Sequence, residues 1–315
     1  MAPKVDTNNH DLVRGVWRLF RLHTIEGLST VSIGWLALFF YAMQQDLPFA
    51  LVRRAFLGIF ATYQITHCVF CLWNSQGLTN MTSDICDRDF DAKVARTRDR
   101  PLPSGQVTLT EAVIVFIIGL AAAVALTYKI LGSDVTAIMV PIWGLSTIYP
   151  LCKRVIWAPQ VVLGLTMAMC VLPPWMAVRP HSGDAGLLPA SLFGAIFCWL
   201  VYIDLIYASQ DRPDDKKAGV KSLAIFLGDY LKAGLTVLGV AQIVCFVVAA
   251  AEAQAGVFVW IFGIAVWSAS VPWSIISLDL RDRKSGGRIF LMNAILGIYM
   301  AAVSGINVAS PAIWS

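Results

Sequence analysis

Three aspartates, Asp84, Asp87 and Asp91, recur at intervals of three and four residues within Ser83-Asp84-Ile85-Cys86-Asp87-Arg88-Asp89-Phe90-Asp91. On a helix that spacing stacks them as one column within about 60° of arc, with Asp89 pointing the other way. Stacked carboxylates repel one another, and in a low dielectric they stay ionised together only beside a cation. A donor set made of oxygen alone suits Mg²⁺, which keeps several waters and shares phosphate oxygens. The plain alternative is a solvated acidic loop. The position of the stretch at the end of a long apolar segment weighs against it, as does a second cluster downstream.

That second cluster holds Asp204, Asp211 and Asp215, spaced seven and four apart. They share one helix face if the helix continues, although Pro213 favours a turn or kink there. Asp204 falls inside an apolar run, where a carboxylate costs roughly 3 kcal/mol on insertion and marks function by default. Two acidic columns facing each other across a helical bundle, with Lys and Arg close by, form a cradle in which Mg²⁺ bridges to a diphosphate.

The elements that must position these columns are membrane helices. With 57% hydrophobic and 14% charged residues over 315 positions and a mean hydropathy of +0.68, the chain is too apolar for a soluble globule. An all-α, polytopic membrane protein is expected, with nine spans near 22–43, 55–80, 112–131, 135–149, 156–178, 187–207, 233–251, 256–278 and 289–309. Pro173 and Pro174 should kink the fifth span near its end. A cytoplasmic N-terminus places 20 of the 24 Lys and Arg on one side, leaving Arg53, Arg54, Lys129 and Arg179 on the other. The positive-inside rule thus favours both the count and this orientation, with the C-terminus lumenal. Both acidic clusters fall in cytoplasmic connections, four helices apart, which hints at a duplicated four-helix unit. The chain divides into a cytoplasmic segment, 1–20, and a nine-helix domain, 21–310.

The seven cysteines are scattered, mostly in apolar runs, and read as small buried hydrophobes rather than a disulfide framework. Cys68 and Cys71 with His67 lack the second pair that a zinc site needs. Residues 1–12 contain no apolar core and no Arg-rich, acid-poor stretch, which argues against a cleaved signal or a mitochondrial transit peptide.

Several motifs in order carry a resemblance. They are Ser83-Asp84-x-x-Asp87-x-x-x-Asp91, Arg96-Thr97-Arg98-Asp99-Arg100-Pro101-Leu102, Tyr149-Pro150-Leu151-Cys152-Lys153-Arg154 with Pro159-Gln160, Asp204-x-x-Tyr207-Ala208-x-Gln210-Asp211-x-x-Asp214-Asp215, and Gly219-Val220-Lys221-Ser222. Together, over roughly residues 15 to 305, they resemble the UbiA superfamily of intramembrane aromatic prenyltransferases. The family's first motif usually opens with Asn where this chain has Ser83, and Asn80, four residues before Asp84, shares that helix face. The resemblance implies nine helices around a central cavity that opens sideways to lipid, capped by the two cytoplasmic Asp-rich loops.

It also implies a Mg²⁺-dependent transfer of a polyprenyl group to a phenolic ring. Asp84, Asp87, Asp91, Asp211 and Asp215 would be the metal ligands, and Lys153, Arg154, Lys221, Asn80 and Ser83 would bind diphosphate. Lys153, Asp204 and Tyr207 are the candidate catalytic residues. Asp204 would orient the phenol, act as a base or complete the metal shell. Phe70, Trp73, Trp143 and Tyr207 are candidate wall aromatics, and Arg21 and Glu26 would contact the acceptor. The Arg21-Leu-His-Thr-Ile-Glu-Gly27 opening and the missing transit peptide look like the fungal branch that prenylates polyketide-derived phenols in meroterpenoid biosynthesis, with farnesyl diphosphate as donor. The expected location is the endoplasmic reticulum membrane, and the partners are the two substrates and lipid, with no nucleic acid. The nearer alternative is a 4-hydroxybenzoate polyprenyltransferase of quinone biosynthesis; the more distant one is a cation-coupled transporter.

Overall fold

The computed structural model describes residues 11–20, 25–73, 101–102, 104–179, 186–210, 212 and 221–314, and every regular element among them is helical. In chain order these are α1 (Leu12–Phe20), α2 (Ile25–Gln45), α3 (Phe49–Trp73), α4 (Leu109–Leu131), α5 (Ser133–Val155), α6 (Pro159–Met169), α7 (Leu172–Val178) and α8 (Leu188–Ala208). After a single turn, Leu223–Leu227, follow α9 (Leu231–Glu252), a π-helical stretch Val259–Ala265 that runs into α10 (Val266–Ser277), and α11 (Arg283–Trp314).

Among the described residues, eight stretches are long and apolar enough to cross a membrane. The remaining expected span, 135–149, lies within α5, which is 23 residues long but less apolar. The expected end of that span before Pro150 needs correcting, because α5 runs through both Pro141 and Pro150 to Val155. Membrane helices tolerate proline where neighbouring groups satisfy the freed carbonyls, so Pro150 does not stop the helix as it would in water. Lys153 and Arg154 therefore sit on the last turn of α5 rather than in a loop.

Gly132 alone joins α4 to α5. Its φ of +90° lies in the region glycine adopts freely, and its N–H closes α4 on Tyr128 O at 3.1 Å. The start of α4 is fixed by a capping box, Thr108 with Glu111.

The fifth span kinks as expected: α6 ends at Met169 and α7 begins at Leu172, and the two residues between, Cys170 and Val171, keep right-handed backbone angles, so 159–178 crosses as one bent stretch. The kink follows from proline chemistry: Pro174 has no N–H for the carbonyl of Cys170 and its ring crowds that oxygen. One tyrosine meets the freed carbonyl and a second its neighbour: Tyr63 on α3 donates its hydroxyl to Cys170 O at 2.5 Å, and Tyr41 on α2 donates to the adjacent Val171 O at 3.2 Å.

The spanning helices form a ring. α2 packs between α3 and α11, α3 meets α4, α4 meets α5, α5 meets α6, and α6 meets α8, which also contacts α9 and α11. α8 is the hub: fourteen of its 21 residues are buried. Its approach to α6 is close enough that a Cβ on Gly164 would lie 2.6 Å from Val201 Cγ2.

Candidate active site

The ring encloses a cavity of about 180 Å³. Its walls come from α2, α3, α5, α6, α8 and α11, and they are mainly apolar, with Ile33, Phe70, Leu163, Leu200 and Phe290 contributing hydrocarbon. Polar side chains enter at a few points, among them Ser29, Thr66, Thr166 and Asp204. This is the usual make-up of a small-molecule site, in which a few polar groups orient a ligand held by apolar contact.

Asp204 lines the cavity one turn before the end of α8 and is 8% exposed. Tyr207, next along the chain on the same helix, is equally buried and packs edge-on against Phe290 with ring centroids 5.3 Å apart. Phe290 lines the cavity and Tyr207 does not, so Tyr207 reaches the site through the Phe290 ring. The end of α8 is closed by Gln210, whose backbone N–H and side-chain amide both donate to Tyr207 O.

Lys221 stands at the outer corner. Its Nζ donates to Val155 O at 3.1 Å and sits 5.5 Å from the centre of the Trp157 ring. That carbonyl closes α5, so Lys221 is brought to the helix end that carries Lys153 and Arg154. Gln160 fastens the same corner, accepting from Leu223 N at 3.1 Å, while Ser222 caps the following turn through Ile225 N. The Pro159-Gln160 motif thus anchors the segment that follows the second acidic cluster.

Several cavity residues were not singled out from the sequence as acceptor-side groups. His67 and Cys71, one helical turn apart on α3, both line the cavity, with Nε2 and Sγ 3.2 Å apart. Gly27 of α2 makes room for His67 and Gln64, since a Cβ there would lie 3.2 Å from His67 Cδ2 and 2.9 Å from Gln64 Nε2. Their i, i+4 spacing in an apolar helix is a sequence signal, but one that fits core packing equally well. Among the described residues no three His, Cys, Asp or Glu side chains are grouped as metal ligands. Trp199 is a further wall residue, braced by Trp267 at 5.2 Å. Of the aromatics expected in the wall, Phe70 lines the cavity, whereas Trp143 stands behind it and donates to Thr66 Oγ1 at 3.2 Å.

Cys170, at the kink between α6 and α7, also lines the cavity, and its carbonyl accepts the Tyr63 hydroxyl.

Arg21, Asn80, Ser83, Asp84, Asp87, Asp91, Asp211 and Asp215 lie outside the described residues, as does the Trp73 side chain. Glu26 is in the first turn of α2 and Lys153 and Arg154 are in the last turn of α5, but the three side chains are outside the description.

Among the described residues, a ring of membrane helices surrounds an apolar cavity with the buried carboxylate of Asp204 in its wall, the make-up of an intramembrane small-molecule site. The chain belongs to the UbiA prenyltransferase family, whose model matches residues 28–297. It is 80% identical to the polyprenyl transferase atnF of an Arthrinium species, over 98% of this chain and 95% of that protein. It is 71% identical to ntnF of a Nectria species, also a polyprenyl transferase, over 96% and 94%. Among solved structures, a UbiA homologue from Aeropyrum pernix K1 superposes with a TM-score of 0.70 at 20% identity, covering 89% of this chain and 97% of that one. One from Archaeoglobus fulgidus, bound to GPP and Mg²⁺, gives 0.63 at 17%, covering 92% and 99%. The protein is therefore a membrane prenyltransferase, and the transporter reading is set aside.

Proposed function

We propose that the protein transfers a farnesyl group from farnesyl diphosphate to a ring carbon of a phenolic, polyketide-derived acceptor in meroterpenoid biosynthesis, with residues 21–310 as one catalytic domain. The observation that carries this reading is the apolar cavity, lined in part by Cys170, with Asp204 in its wall. Relatives named polyprenyl transferases support a long isoprenoid donor. In this reading the protein resides in the endoplasmic reticulum membrane, and the distribution of Lys and Arg supports a cytoplasmic N-terminus with both acidic loops on the same side.

In this reading the donor chain lies along Leu200 and Trp199 toward Cys170. Its diphosphate sits at the corner where Lys221 meets the end of α5, and Lys153, Arg154, Asn80 and Ser83 are the residues assigned to bind it. The allylic C–O bond breaks and its electron pair leaves with the diphosphate. The ring carbon ortho to the phenol forms the new C–C bond, and the ring proton is lost. The walls keep out water that would capture the cation, and Phe70 and Trp199 offer it their π faces. Asp204 accepts a hydrogen bond from the phenol and raises electron density in the ring. Were α8 to continue, Asp211 would lie ~10 Å further along it, too far to share one ion's shell with Asp204. Tyr207 holds Phe290 against the reactants, and Arg21 and Glu26 contact polar groups of the acceptor. Asp84, Asp87, Asp91, Asp211 and Asp215 form an oxygen-only donor set that fits Mg²⁺. When bound there, Mg²⁺ supplies positive charge that offsets the charge of the departing diphosphate.

The test is incubation of membranes holding the protein with Mg²⁺, farnesyl diphosphate and a panel of phenolic acids. Asp87→Ala, Asp211→Ala and chelator treatment should each abolish the prenylated product. Product with 4-hydroxybenzoate alone, or import of the full-length chain into mitochondria, would replace this reading with the quinone one.

A further inference from the structure

α1 has two unlike faces. Val13 is 82% exposed and Trp17 is 55% exposed; one turn apart, they form an apolar ridge beside the exposed Arg14. Gly15 and Leu19, also one turn apart, are buried on the other side. That inner face is fastened to the segment leading into α4. Asp11 N donates to Gln106 O at 3.1 Å, and Arg18 Nη1 donates to Gln106 Oε1 at 2.8 Å. Gly15 packs so closely on Val107 that a Cβ would collide with its Cγ2. Val107 N in turn donates to Pro101 O at 3.1 Å. Residues 101–107 connect the first acidic motif and its Arg96–Arg100 run to α4.

We propose that α1 is a lipid-surface anchor. Its outer face lies in the headgroup layer of the leaflet at the α4 entrance, and its inner face holds residues 101–107, and through them the first acidic motif, in place. The occupant follows from position and chemistry. Residues 101–108 lead into the N-terminus of a membrane-spanning helix, so a nine-residue helix docked on them and on α3 lies at the bilayer surface. Like α4, whose Ile114 and Ile117 are exposed, it turns apolar side chains outward from the protein. Tryptophan favours the headgroup boundary, where its ring is in hydrocarbon and its N–H is wet. Valine beside it adds apolar area, and Arg14 adds a phosphate contact.

The test uses the full-length protein in lipid vesicles. The emission of Trp17 is obtained as the difference between wild type and Trp17→Phe, in lipids with and without bromine on the acyl positions nearest the headgroup. Anchoring predicts that brominated lipid quenches this difference at least twofold at every protein concentration. Absence of quenching overturns the proposal, and so does quenching that vanishes as protein density rises, because a second copy then covers the face. The coupling to the acidic motif rests on the proposed prenyl transfer. Trp17→Glu, with Arg14→Gln as a milder second variant, should lower transfer three- to tenfold by raising KM for the diphosphate donor. Unchanged KM for both variants overturns the coupling. Absence of transfer by the wild-type protein defeats the functional reading instead and leaves the quenching result intact.

Discussion

α4 and α8 are apolar helices of nearly equal length, 23 and 21 residues, yet they hold opposite places in the molecule. Both are strongly apolar, yet only 17% of α4's spanning window is buried inside the protein, whereas for α8 the share is 67%. In a water-soluble protein a helix as apolar as α4 would be buried. Lipid is as apolar as leucine, so the outer helix needs hydrocarbon all round, while the inner one can carry Asp204, Tyr202 and Tyr207 because protein surrounds them. In this bilayer enzyme polarity inside an apolar run, rather than apolarity itself, marks the centre.

That contrast can be broken or sharpened by substitution, in decreasing order of effect. Asp204→Asn on α8 should lower prenyl transfer by on the order of 10² while the chain still inserts, since the loss falls on orientation of the acceptor. Rate assays beside membrane fractionation check both halves of the statement. Ile117→Lys on α4, where the side chain is 60% exposed toward lipid, should cost about 3 kcal/mol in insertion. Its yield in the membrane fraction should fall, with near-normal turnover per inserted molecule. Gly164→Ala, which pushes against Val201 of α8, should destabilise the detergent-solubilised protein by about 1–3 kcal/mol. Gly144→Ala, with nothing within 4 Å of the new Cβ, should leave the melting temperature unchanged or slightly higher. Equal effects from the two glycine substitutions would mean that α8 is not the tightly packed hub.

The parts of the fold legible in sequence were those set by composition over a whole helix. Runs such as 112–131 announce themselves, and Pro173 with Pro174 marks a disturbance. Which carbonyl Pro174 frees follows from proline chemistry, but not that Tyr63, more than a hundred residues earlier, meets it. The span at 135–149 came out short because the last turn of α5 carries Lys153 and Arg154, and apolarity alone does not follow a helix into its charged end. α1 was passed over as a polar terminal segment, since nine residues give a weak periodic signal and the partners that hold it, Gln106 and Val107, are remote in sequence. In the site, Asp204 stood out because a carboxylate inside an apolar run is rare. His67, Thr66 and Trp199 did not, since only the closing of six helices into a ring turns them toward one space.

The kink between α6 and α7 binds two distant positions into one unit of inheritance. Pro174 is tolerable because the Tyr63 hydroxyl supplies the donor that the proline nitrogen lacks, and that hydroxyl has a use because Pro174 leaves Cys170 O bare. A lineage that regained an amide at 174 would be free to let the tyrosine drift to phenylalanine, whereas losing the tyrosine first would strand a carbonyl in hydrocarbon. The order in which those two changes can occur is written into the covalent structure of proline.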